Sequence, residues 1–334
     1  MKEKHFCKSL TEVTLPSSLT AIKEDAFNGC TSLSQMTLPS SLTEISKNAF
    51  HKCTSYEVSI PSSVNNIGIY AFSNSKIIVA DIPCNFTNIG SHWFFECTSL
   101  TQVTIPSSVT SIEMGAFRNC SSLTQVTIPE SVTTIGKRSF MQCQSLVQVT
   151  IPSSVTRIEN QAFQKCKSLA EVTIPKSVTY LGEGSFGYCE SLKKVEILGK
   201  LDKINSHTFL CCRSLTQINI PSSVTEIDRF AFSYCGLFTK IDSSSSVDDE
   251  CPSPCQLILP STITKIGASV FNCWKLLTEA TLPSSLIELG ELAFRYCHSL
   301  VKLTIPPSVS KIGREAFIGC QKLTSFTLPS SLTV

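Results

Sequence analysis

The sequence predicts a repeat solenoid, a single array over residues 1–334 of about 14–15 units of 23 residues, with a parallel β-sheet on one side and short extended stretches and 3₁₀ or helical turns on the other. Three observations predict it: a proline that returns at a fixed interval, an alternating apolar run before each proline, and an Ala-Phe-x-x-Cys step after it.

The prolines stand at Pro16, Pro39, Pro61, Pro83, Pro106, Pro129, Pro152, Pro175, Pro221, Pro260, Pro283, Pro306 and Pro329. Their spacing is 23 almost throughout and 22 from Pro39 to Pro61 and from Pro61 to Pro83. Leu198 and Ser244 occupy two further stations without proline, which brings the count to fifteen.

Each unit is read in the order strand, turn, second extended stretch, turn. In residues 101–105 Val103 and Ile105 are two apart and share a face, while Gln102 and Thr104 take the other, the period of a strand. Pro106 removes a ladder donor and ends it. Ser107-Ser108 is a turn, residues 109–112 suit a second extended stretch, and residues 115–120 have the length of one helical or 3₁₀ turn. About eight apolar side chains per unit do not offset the entropy of ordering 23 residues, so a lone coil cannot fold and stacking is what stabilises the array.

Composition narrows the function classes. A net charge of +2 with 16% charged residues gives no basic footprint for nucleic acid. The 42% of hydrophobic residues never form a run long enough to cross a bilayer, and the opening residues 1–13 lack the apolar stretch of an export signal, so no membrane insertion is expected.

The Ala-Phe-x-x-Cys step recurs intact at residues 26–30, 49–53, 116–120, 162–166, 231–235, 293–297 and 316–320. With LxxVTIPSSVTxI before it, this pattern closely resembles the BspA-like leucine-rich repeats of mucosal bacteria and of parasitic protists such as Trichomonas and Entamoeba. The resemblance covers essentially the whole chain. It implies a right-handed leucine-rich-repeat solenoid and a cell-surface or extracellular protein of the adhesin or host-interaction type.

A residue recurring once per unit forms a column along a solenoid. Phenylalanines from Phe27 to Phe317 form one, a core spine. Twelve of the 17 cysteines form another, from Cys7 to Cys320, and are read as small apolar core residues rather than as a disulfide network. No cysteine and histidine spacing fits a metal, no serine has a recurring His and Asp beside it, and no phosphate loop appears, so neither enzyme activity nor a cofactor is expected.

The outward strand columns are the candidate ligand-binding face: Gln102, Thr104, Gln125, Thr127, Gln148, Thr150, Glu171, Thr173, Lys194 and Glu196. A rigid surface of Thr and Gln offers hydrogen-bonding groups at low ordering cost and suits a protein or glycan partner. Threonine is equally a good solvent-facing strand residue.

Between Pro221 and Pro260 the spacing is 39, read as one coil of 23 and a short one of 16. The register break at residues 242–256 is read as a loop, with Cys251 and Cys255 as the pair most prone to form a disulfide. With no polar cap at either end, end-to-end self-association or a longer array is expected. The leading expectation is thus a non-catalytic surface-binding protein; the alternative is a cytoplasmic interaction scaffold.

Overall fold

The computed structural model describes residues 7–54, 57–236, 256–324 and 328–332. The chain divides into two compact units, Met1–Val155 and Thr156–Val334. Among the described residues, twenty-six short strands alternate between two sides of the coils, thirteen to a side, all pairing in parallel over about 12 turns.

On the first side of the first unit, Glu57–Ser59, Val79–Asp81 and Gln102–Thr104 form one parallel ladder and Gln125–Thr127 pairs with Gln148–Thr150. On the second side Ala21–Ile22, Glu44–Ile45 and Asn66–Ile67 form one ladder, and Asn88–Ile89, Ser111–Ile112 and Thr134–Ile135 another. In the second unit, Glu171–Ile174, Lys194–Ile197 and Gln217–Asn219 pair on the first side, as do Gln256–Ile258, Glu279–Thr281 and Lys302–Thr304. Its second side carries Lys203–Ile204, Glu226–Ile227, Lys265–Ile266, Glu288–Leu289 and Lys311–Ile312 in one ladder.

The inward residues of most described strands are buried, with Val13, Met36 and Ile312 half-buried near the two ends, and the phenylalanines stack along the interior. Ring centroids of Phe94 and Phe117 lie 5.6 Å apart with an interplanar angle of 1°. Phe209 and Phe232 in the second unit are 5.5 Å apart at 8°.

The third side corrects the expected helical turn. Among the described residues there is no helix. Instead the amide hydrogens alternate in destination. Those of Ala116, Arg118 and Cys120 bond three residues back, to Glu113, Gly115 and Phe117, while those of Gly115, Phe117 and Asn119 bond to Lys137, Ser139 and Met141 of the following coil. Alternation of this kind needs left-handed backbone at two places per coil, here Gly115 (φ 63) and Asn119 (φ 61). A helix would spend all six donors inside the coil and leave its neighbours unstitched.

The corners explain the recurring Ser and Thr. The second serine of most Pro-Ser-Ser turns donates to a carbonyl of the preceding coil, as Ser108 does to Phe86 and Ser154 to Val132, both at 2.7 Å, whereas the Ser63 hydroxyl is buried without a partner among the described residues. Thr110 and Thr133 do the same for Thr87 and Thr110. The serine hydroxyls satisfy carbonyls that the short strands leave over, while the threonine hydroxyls add a second donor to carbonyls that already accept the same residue's amide.

On the second side the register break adds no strand between its neighbours. Glu226 pairs directly with Lys265, 39 residues on. Phe232 stacks on Phe271 at 6.5 Å. The Ser244 station therefore contributes no coil on that side, and the array has fewer turns than the stations suggest. Gln256 belongs to the strand Gln256–Ile258 and not to the loop. Cys251 and Cys255 lie outside the described residues.

Candidate functional site

The first strand side is built by alternation. Val103, Val126 and Val149 turn inward and are at most 7% exposed, which forces Gln102, Thr104, Gln125, Thr127, Gln148 and Thr150 outward, where all six are exposed. Gln125 stands opposite Gln148 and Thr127 opposite Thr150. Gln102 and Thr104 stand opposite Val79 and Asp81. In the second unit Glu171, Thr173, Lys194 and Glu196 are exposed on the corresponding side, with Glu171 opposite Lys194 and Thr173 opposite Glu196.

None of these ten side chains makes a hydrogen bond or an ion pair within the described residues. Glu171 and Lys194 remain unpaired although they face each other across neighbouring strands. By contrast, Asn219 is engaged: its amide nitrogen donates to the Ile197 carbonyl at 2.9 Å and its oxygen accepts the Ile197 N–H at 2.6 Å, which closes the ladder where Leu198 and Gly199 replace the usual Pro-Ser.

The second side behaves differently. Lys203, Glu226, Lys265, Glu288 and Lys311 alternate in sign at one residue per coil. Lys265 contacts Glu226 at 3.3 Å and Lys311 contacts Glu288 at 2.8 Å. The sequence reading missed this column, although it is legible as the residue before the inward Ile or Leu of each second stretch.

The cysteine column has a use beyond filling space. Cys120 donates its thiol hydrogen to Phe94 and Cys212 to Phe186, each at 3.2 Å. Burial pushes the Cys189 thiol up to about 12 and that of Cys97 to about 11, so both stay protonated, as donors must. All cysteines among the described residues are free. Among those residues no cluster of three or more His, Cys, Asp and Glu side chains is placed to hold a metal ion, and no helix is long and apolar enough to cross a membrane.

A family model described as the BspA type leucine rich repeat region matches residues 3–124, 110–239 and 239–334. A leucine-rich repeat protein from Bacteroides ovatus ATCC 8483 has a similar structure, with 26% sequence identity and a TM-score of 0.76 over 97% of this chain and 80% of that one. A leucine rich cell surface protein from Faecalibacterium prausnitzii A2-165 is 27% identical, with a TM-score of 0.51 over 88% of this chain and 78% of that one. A leucine-rich repeat protein from Eubacterium ventriosum ATCC 27560, 21% identical with a TM-score of 0.52 over 98% of this chain and 80% of that one, shares the fold. No curated protein matches the chain.

Proposed function

The chain belongs to the BspA-type leucine rich repeat family, and from that membership we propose that it is a non-catalytic binding protein that holds a protein or glycan partner on its first strand side. One observation carries the reading. The corner hydroxyls of Ser108, Thr110 and Ser154 are bonded to neighbouring coils, whereas those of Thr104, Thr127, Thr150 and Thr173 have no partner within the described residues. Those strand hydroxyls, with the amides of Gln102, Gln125 and Gln148, are the recurring polar groups that the fold does not itself use.

Such a surface is held rigid by the ladder beneath it, so little ordering entropy is lost on binding. Its uncharged centre, Gln125 and Thr127 opposite Gln148 and Thr150, suits hydrogen-bonding partners better than strongly charged ones. Placement at a cell surface, in an adhesin-like role, accords with the description of the Faecalibacterium prausnitzii relative. The competing role, an interaction scaffold inside the cell, would use the same face. Surface labelling of intact source cells separates the two.

The test is binding of the folded chain to host cells and to immobilised matrix glycoproteins before and after deglycosylation. Gln125→Lys with Thr127→Lys is expected to weaken binding roughly tenfold or more, as loss of central contacts does, while Lys265→Glu on the second side leaves it unchanged. Equal binding by all three proteins would remove the strand face from consideration. Sensitivity to deglycosylation assigns the glycan.

A further inference from the structure

The first unit departs from its own repeat where the coils shorten. The prolines Pro39, Pro61 and Pro83 are 22 apart instead of 23. Trp93 takes a station that alanine holds in most other coils of the unit, its indole N–H donating to the Ile67 carbonyl at 3.2 Å. Next to it, on the third side, Phe95 is the hub of a side-chain cluster that no other coil of the unit repeats. The rings of Tyr70 and His92 meet Phe95 edge-on at 5.8 and 5.6 Å, and the Arg118 guanidinium lies over it at 5.3 Å. Tyr70 and His92 are 4.7 Å apart.

His92 is seated by Gly115, since a Cβ at that glycine would come within 2.7 Å of the imidazole. It is only 8% exposed, yet its Nδ1 has no hydrogen-bond partner, and the buried Nε of Arg118 has none either. Buried polar atoms are normally paired, and these two orphans meet around one ring. Phe95, Tyr70 and Arg118 are themselves half-exposed, so the cluster opens to solvent.

The surrounding charge gives the sign of what is missing. Lys76 and Arg118 lie on the coils of the cluster, and Lys52, Lys137 and Arg138 on the coils that flank them. The nearby carboxylates are held by neutral donors, Glu96 by Asn74 at 3.0 Å and Glu113 by Asn88 and Ser91, and neither makes an ion pair with Arg118 among the described residues. Burial first, and the Arg118 charge second, hold the His92 imidazole below its ordinary value.

We propose that this cluster is an oxyanion site in which Arg118 and His92 donate to a carboxylate or phosphate group resting against Phe95. A guanidinium offers only donors, in a planar fork that fits either oxyanion. Phe95 stacks the guanidinium in place, and Gly115 leaves the room that the His92 ring occupies.

The test follows the five histidines, selectively labelled with ¹⁵N and ¹³C in the full chain, with His92 assigned by His92→Gln. Inorganic phosphate and acetate are titrated separately at constant ionic strength. The His92 resonances are expected to shift saturably while those of His207 and His298 stay fixed. Arg118→Gln is expected to weaken the response roughly tenfold, the loss of one charge-assisted bond. Arg118→Lys, which keeps the charge and loses the fork, is expected to lie between. Stronger binding of phosphate assigns a phosphorylated ligand, and stronger binding of acetate an acidic side chain of a partner. No shift with either anion, or an unchanged response in Arg118→Gln with the other histidine signals preserved, overturns the site.

Discussion

The thiol of Cys143 donates to the main-chain carbonyl of Phe117, 3.2 Å away in the preceding coil. That carbonyl also accepts the amide of Cys120 at 3.1 Å, so both of its acceptor positions are used. Trp274 shows what the station selects: it stands where cysteine is usual, and its indole N–H makes the equivalent bond to Phe232 at 2.8 Å. A buried donor is required there, and cysteine is the smallest side chain that reaches across to the neighbouring coil.

Cys143→Ala removes donor and volume together and is expected to lower unfolding stability by about 1–3 kcal/mol. Cys143→Ser does not restore the link. At the same station Ser75 donates to Phe72 of its own coil at 2.6 Å and not to the coil before, so a serine is satisfied locally and the inter-coil bond is lost. Urea unfolding checks both variants, and a Ser variant as stable as wild type would show that the thiol bond contributes nothing.

Left-handed backbone on the third side gives a second expectation, with opposite signs at two positions. Gly115→Ala places a Cβ at φ 63 and against His92, and it should cost about 2–4 kcal/mol from strain and overpacking together. Gln142 already carries its side chain at φ 66. Gln142→Gly relieves that strain, partly offset by the freer unfolded chain, so its stability should be unchanged or higher by up to about 1 kcal/mol. A loss at Gln142→Gly comparable with that at Gly115→Ala would contradict the assignment of these turns.

Much of this was legible in the sequence and some was not, for identifiable reasons. Val103 and Ile105 alternating with Gln102 and Thr104 announce a strand because side-chain direction there has a period of two. Residues 115–120 mislead because their length fits a helical turn, and whether an amide hydrogen bonds within its coil or to the next leaves no mark on one repeat. The corner roles of Ser108 and Thr110 were hidden likewise, since turn propensity alone accounts for a serine after proline. The ten outward residues fall where alternation puts them. The Phe95 cluster escaped because it draws Tyr70, His92 and Arg118 from three separate coils and forms no column.

Acid should weaken the first unit. Burial is the main cause that holds His92 and His51 below the ordinary imidazole range; neighbouring Arg118 and Lys52 add to it. A group with its folded pKa depressed binds more protons when unfolded, so its contribution is fully present above about pH 6.5 and is lost as pH falls through that value toward the folded pKa. Thermal melts in non-coordinating buffer should show the transition temperature dropping between about pH 7.5 and 5, with a smaller drop in His92→Gln. A pH-independent transition would remove the histidines from the stability of this unit.

The two charged columns of the second unit should respond differently to salt. Lys265 and Glu226 are in contact at 3.3 Å, and the carboxylate holds the lysine above its ordinary value. Both are partly exposed, so the pair is weak and screened by added electrolyte. Glu226→Gln should lower the transition temperature slightly in dilute buffer, and the difference should vanish near about 1 M salt, where the Debye length falls to about 3 Å. Glu171 and Lys194 face each other in register without an ion pair, so Glu171→Gln should leave stability unchanged at either ionic strength. If Glu171→Gln instead destabilised the chain in a salt-dependent way, the first strand side would be using its charges internally, and its availability to a partner would have to be given up there.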